Sequence, residues 1–83
     1  LKQNYPNPFN PSTQIQYDLP IAGDISINVY NTLGILVMKL DSGYKTAGSH
    51  LITFNADKLP TGIYFYQLQS GNFVETKKMT LIK

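Results

Sequence analysis

Asp24-Ile25-Ser26-Ile27-Asn28-Val29-Tyr30-Asn31-Thr32-Leu33-Gly34 is the stretch that decides the fold. Ile25, Ile27 and Val29 alternate with Ser26 and Asn28, the period-two pattern of a strand with one dry face and one wet face. An α-helix would need its apolar residues three and four apart instead. Asn31-Thr32-Leu33-Gly34 fits a type I turn, with Asn first and Gly last. The chain is therefore expected to fold back, and a return strand follows over 35–41 with Leu36, Met38 and Leu40 on one face.

The same pattern repeats on both sides of this hairpin. Upstream, Ile15, Tyr17 and Leu19 alternate over 14–19 before Pro20 and Gly23 break the run. Downstream, a looser connection from Ser42 to Gly48 leads to a strand at 49–55, in which His50, Ile52 and Phe54 alternate. Residues 62–69 are apolar on both faces, with Ile63 and Phe65 on one and Tyr64, Tyr66 and Leu68 on the other. That pattern marks a central strand. Ser70-Gly71-Asn72 is a tight hairpin signal, and a last strand runs from Phe73 to Ile82. Pro6, Pro8 and Pro11 punctuate residues 4–12. Each proline fixes φ and lacks an N–H, so this lead-in should be extended and cover an edge without joining a central ladder.

Strands roughly ten residues apart, with no helical period between them, predict an all-β fold. The expected architecture is an immunoglobulin-like antiparallel sandwich of about six or seven strands. Its expected core is Ile15, Ile25, Ile27, Val29, Leu36, Met38, Ile52, Phe54, Tyr64, Tyr66 and Leu68. The chain has 83 residues, enough for one domain over 1–83, with 1–13 as the lead-in and 14–83 as the sandwich. It begins Leu1-Lys2-Gln3 without an initiator Met, so a piece of a longer protein is expected.

Composition excludes several classes. With 42% hydrophobic and 14% charged residues, the chain is too apolar for a disordered tail. No apolar run approaches the roughly 20 residues needed to cross a bilayer as a helix, and no transmembrane segment is expected. The absence of Cys excludes disulfides and a thiol nucleophile. The net charge is +2, and Lys77, Lys78 and Lys83 against Glu75 carry the whole excess. All seven cations are Lys, without the bidentate fork of Arg, so nucleic acid is not an expected partner.

The residues that might carry chemistry read as structural. His50 is the single histidine, and a ring nitrogen bonded to backbone is its expected role. Asp18, Asp24, Asp41 and Asp57 stand singly near strand ends, where Asp commonly bonds its own backbone. No catalytic group, metal site or cofactor is expected. Leu59-Pro60-Thr61-Gly62-Ile63-Tyr64 reads as a corner in which the Tyr64 hydroxyl pins upstream backbone. Gly34, Gly62 and Tyr64 are accordingly assigned structural roles.

Three blocks carry a family resemblance: Leu1 to Thr13 (L-K-Q-N-Y-P-N-P-F-N-P-S-T), Gly62 to Leu68 (G-I-Y-F-Y-Q-L) and Lys77 to Lys83 (K-K-M-T-L-I-K). In order and spacing they resemble the type A C-terminal sorting domains of the type IX secretion system, found in Bacteroidetes and related Gram-negative bacteria. Val29 to Gly34 and Gly48-Ser49-His50 are also similar to that family. Gln67 departs from it, standing where Arg or Lys is frequent. The resemblance implies an N-terminal passenger domain in the same protein, a translocon in the outer membrane and a sortase-like peptidase that removes the tag. It also implies delivery to the cell surface or medium through the periplasm. Asn7, Pro8, Lys77, Lys78, Met79 and Lys83 are the recognition residues it suggests, and the basic last strand is a candidate docking edge. The opening block is similar as well to the immunoglobulin-like domain of flagellar hook-capping proteins. A structural spacer or assembly module is thus one alternative. A carbohydrate-binding accessory domain using Tyr5 or Tyr44 is another.

Overall fold

The alternation around residue 15 and the alternation around residue 27 become strands that face each other across the core. In the computed structural model, which describes residues 1–83, β1 (Ser12–Leu19) and β2 (Gly23–Tyr30) lie in different sheets. β3 (Leu36–Lys45), β4 (Gly48–Asn55), β5 (Gly62–Ser70) and β6 (Phe73–Leu81) complete the set, and there is no helix. The smaller sheet has the order β1-β4 and the larger has the order β3-β2-β5-β6, with every pairing antiparallel. The architecture is the immunoglobulin-like sandwich that the sequence predicts.

The inward residues meet between the sheets. Ile15, Tyr17 and Leu19 of β1 face Ile25, Ile27 and Val29 of β2 and Tyr64, Tyr66 and Leu68 of β5, and all nine are buried. Phe54, Met79 and Leu81 close the core. The Asn31–Gly34 turn forms as predicted. The Gly34 N–H reaches the Asn31 carbonyl at 3.0 Å, and the Asn31 side chain accepts from the N–H groups of Leu33 and Ile35. Gly34 takes φ +80°, a conformation that costs glycine nothing. The β5–β6 hairpin turns at Gly71 and Asn72 between the Ser70 and Phe73 pair.

β3 departs from the expected pattern. Leu36 is exposed and Met38 only half-buried, and no residue of β3 is fully buried. The reason is two bulges. Asp41 and Lys39 pair with Ile27 and Asn28, which leaves Leu40 without a partner; Met38 and Leu36 pair with Val29 and Tyr30, which leaves Val37 without one. Each extra residue shifts the alternation by one position. Leu36 thus comes opposite Tyr30 on the solvent face of the sheet. Residues 42–45, expected in a loose connection, extend β3, so that only Thr46 and Ala47 join it to β4. Ile52 is half-buried because β4 is the outer strand of a sheet with only two.

The proline-rich lead-in does more than cover one edge. It bonds β1 through Lys2 N–H to Gln16 O at 2.8 Å and through a reciprocal Tyr5–Gln14 pair at 2.9 Å. Farther on, Phe9 bridges to Leu81 of β6, and Pro11 O accepts from Ala56 N–H at 3.0 Å. The segment therefore laces the small sheet to the large one. Phe9 fills the core beside Phe54, ring centroids 5.9 Å apart. The bonds preceding Pro6, Pro8 and Pro11 are cis.

Candidate recognition site

The residues singled out near the two ends of the chain converge on the C-terminal half of β6. Antiparallel pairing leaves alternate β6 residues with their backbone groups pointing away from β5. The lead-in occupies that side. Phe9 N–H donates to Thr80 O at 3.0 Å, Thr80 N–H donates to Asn7 Oδ1 at 3.0 Å, and Ile82 N–H donates to Phe9 O at 2.9 Å. Gln3 Nε2 reaches Lys78 O at 2.7 Å. The expected docking edge is thus already paired over Lys78–Ile82. The unpartnered backbone is at the other end of the strand, at Val74 and Thr76.

This geometry sorts the candidate residues. Asn7 acts as a clamp on Thr80, and Pro8 beside it is exposed. Met79 is fully buried under Tyr64, its register partner, so it offers a partner no side-chain surface. Lys83 donates from Nζ to Asp57 O at 2.6 Å and from its N–H to Thr61 Oγ1 at 3.2 Å, tying the last residue to the β4–β5 corner. Lys77 and Lys78 lie on opposite faces. Lys77 pairs in register with buried Tyr66 and is half-covered, whereas Lys78 pairs with Phe65 on the outer face and is exposed.

Two structural readings hold. The Tyr64 hydroxyl donates to Pro60 O at 2.6 Å, pinning the corner that Gly62 completes. His50 bonds Thr46 O through Nε2 at 2.7 Å and stacks on Tyr17 with centroids 5.1 Å apart. Asp18 accepts from the Ser49 hydroxyl, and that bond holds its carboxyl below the ordinary range.

A buried polar network was not legible in the sequence. The Tyr66 hydroxyl accepts from Asn4 N–H at 2.7 Å and donates to Lys2 O at 2.7 Å. Asn4 Nδ2 donates to Thr13 Oγ1 and Pro6 O, and the Thr13 hydroxyl also reaches Pro6 O. Asn4 and Thr13 are the two buried polar residues of the chain. Burial pushes the Tyr66 phenol up to about 12; the Asn4 N–H opposes that rise and Glu75 adds to it. The only available signal was Asn4 just ahead of Tyr5-Pro6, which reads as ordinary turn composition.

The small β-sandwich thus has its two terminal segments cross-bonded, and its charge excess lies over residues 75–83. Residues 3–83 match the model of the secretion system C-terminal sorting domain, and the chain belongs to that family. No curated protein matches it. The domain is a C-terminal sorting signal for type IX secretion, and such tails mark proteins exported to the cell surface or the extracellular space. The role implies a type IX system and a passenger domain.

Proposed function

We propose that residues 1–83 act as one non-catalytic address unit, read by the outer-membrane translocon and then handled by a sortase-like peptidase. The observation that carries this reading is the convergence of Asn7, Pro8, Lys78 and Lys83 around the C-terminal half of β6, in a chain matched to the sorting family over 3–83. Those residues lie at opposite ends of the sequence, and only folding brings them together. The docked lead-in belongs to the unit, because Asn4 and Phe9 are as buried as the strands. Lys78 is the recognition residue best placed for contact, being exposed on the outer face.

The test is a folded reporter fused ahead of residues 1–83, in a host with a working type IX system. The reporter is expected outside the cell. Retention in the periplasm, while the host exports its own substrates, would overturn the assignment. Purified domain should show no hydrolase activity, and turnover that survives repurification would overturn the non-catalytic reading.

A further inference from the structure

The outer face of the large sheet carries an apolar row that the fold leaves uncovered. Register places Leu36, Tyr30, Phe65 and Lys78 side by side, one from each of the four strands. Ile63 lies one step farther on, beside Thr80. The next row inward, Lys39, Asn28, Gln67 and Thr76, is polar, as a solvated sheet face ought to be. Leu33 and Ile35 in the β2–β3 turn extend the apolar end and are 80% and 56% exposed. The sequence of β5 reads as a strand covered on both faces at Ile63 and Phe65, yet the structure covers only one.

The patch has a shape and a charge. Tyr30, Asn31, Thr32 and Gly34 on one side and Phe65 and Gln67 on the other line a recess of about 440 Å³, enough for one large side chain. Lys78 flanks the apolar row and Lys39 stands in the row behind it. The one carboxylate on this face, Asp24, is at the other end of β2, roughly 20 Å away at strand rise. Asp41 and Glu75 pair with Ile27 and Leu68 and so belong to the opposite face.

We propose that this face, at the Gly62 end of the sheet, docks an acidic protein surface that inserts one apolar side chain into the recess beside Tyr30 and Phe65. The inference rests on the sorting reading and names the surface through which the exporting machinery holds the domain. Aromatic residues in a shallow pocket are typical binding anchors, and rim charges steer the encounter. Lys78 and Lys39 repel a basic or a like-charged copy, and the apolar row excludes a fully hydrated one. An acidic surface with one apolar anchor meets both requirements.

The test uses the reporter fusion with the whole domain. Phe65→Thr and Lys78→Glu change the face, Lys78→Arg keeps its charge, and Phe73→Thr removes a more exposed ring from the opposite end of β5–β6. Export through the face predicts a loss of at least about tenfold for Phe65→Thr and severalfold for Lys78→Glu. Phe73→Thr should export normally, Lys78→Arg should export better than Lys78→Glu, and all four should melt within a few degrees of the parent. Normal export of both face variants beside normal export of the parent overturns the docking face and leaves the sorting assignment intact. Periplasmic retention of the parent overturns the sorting assignment, and the inference with it. If Phe65→Thr unfolds, Lys78→Glu decides, because its exposed charge leaves the core untouched. A flotation assay with phosphatidylglycerol vesicles separates the other occupant. Binding by the parent that Lys78→Glu abolishes would replace the acidic protein with an anionic lipid surface.

Discussion

Residues 1–11 contain no named strand, yet Asn4 and Phe9 are buried, while β3 has ten strand residues and buries none completely. Regular hydrogen bonding and structural weight have come apart. The lead-in touches both sheets, so each group it places inward closes contacts from two directions. β3 is an edge strand whose two bulges interrupt its alternation, so that Val37, Met38 and Leu40 pack against the core but stay only partly buried. A segment matters here for what it joins, and its secondary structure says little about that.

The sharpest way to challenge this contrast is Phe9→Ala. The ring packs in the main core cluster, and its removal should cost about 3–5 kcal/mol in chemical unfolding. A loss below about 1 kcal/mol would mean that the lead-in only drapes the surface. Tyr66→Phe comes next. It leaves the Asn4 N–H and the Lys2 carbonyl without their partner and should cost about 2 kcal/mol, compared with about 1 kcal/mol for Tyr64→Phe, which loses one bond. Equal losses in the two variants would dissolve the network.

The same phenol sets an alkaline limit. Its folded pKa of about 12 exceeds the ordinary 10.0, so the folded state holds the proton more tightly than the unfolded state does. The stability this provides is complete below the ordinary value and is lost as pH rises through the window between the two. Melting temperature should therefore fall more steeply for the parent than for Tyr66→Phe as pH rises from 10.0 to about 12. Parallel declines would remove Tyr66 as the cause. The smallest effect belongs to β3. Leu36→Thr keeps β propensity at an exposed site and should shift stability by less than about 0.5 kcal/mol, measured by the same unfolding. A larger loss would show that the edge is packed after all.

Much of this fold was readable in advance. The turn at Asn31–Gly34, the Tyr64 corner and the inward sets of β1, β2 and β5 all follow from local chemistry, because period-two alternation and turn residues act over neighbouring positions. The misreading of β3 has an equally local cause with a distant origin. A bulge is a mismatch between two strands, and one strand's sequence does not show it. The open edge expected on the last strand failed for a similar reason, since Asn7 and Phe9 reach Thr80 across more than seventy positions of chain. Of the candidate recognition residues, residue type pointed to Lys78, while only register could tell it apart from Lys77 and send Met79 inward.

The one-dimensional pattern settled the fold class, the strand order along the chain, the Asn31–Gly34 and Gly71–Asn72 turns and the position of the excess charge, all of which depend on residues close together. The folded state alone settled which faces were left uncovered, which edge was occupied and that Asn4, Thr13 and Tyr66 share one network. Those are properties of pairs far apart in the chain, and a pair energy exists only once packing has brought both members together and removed the water between them.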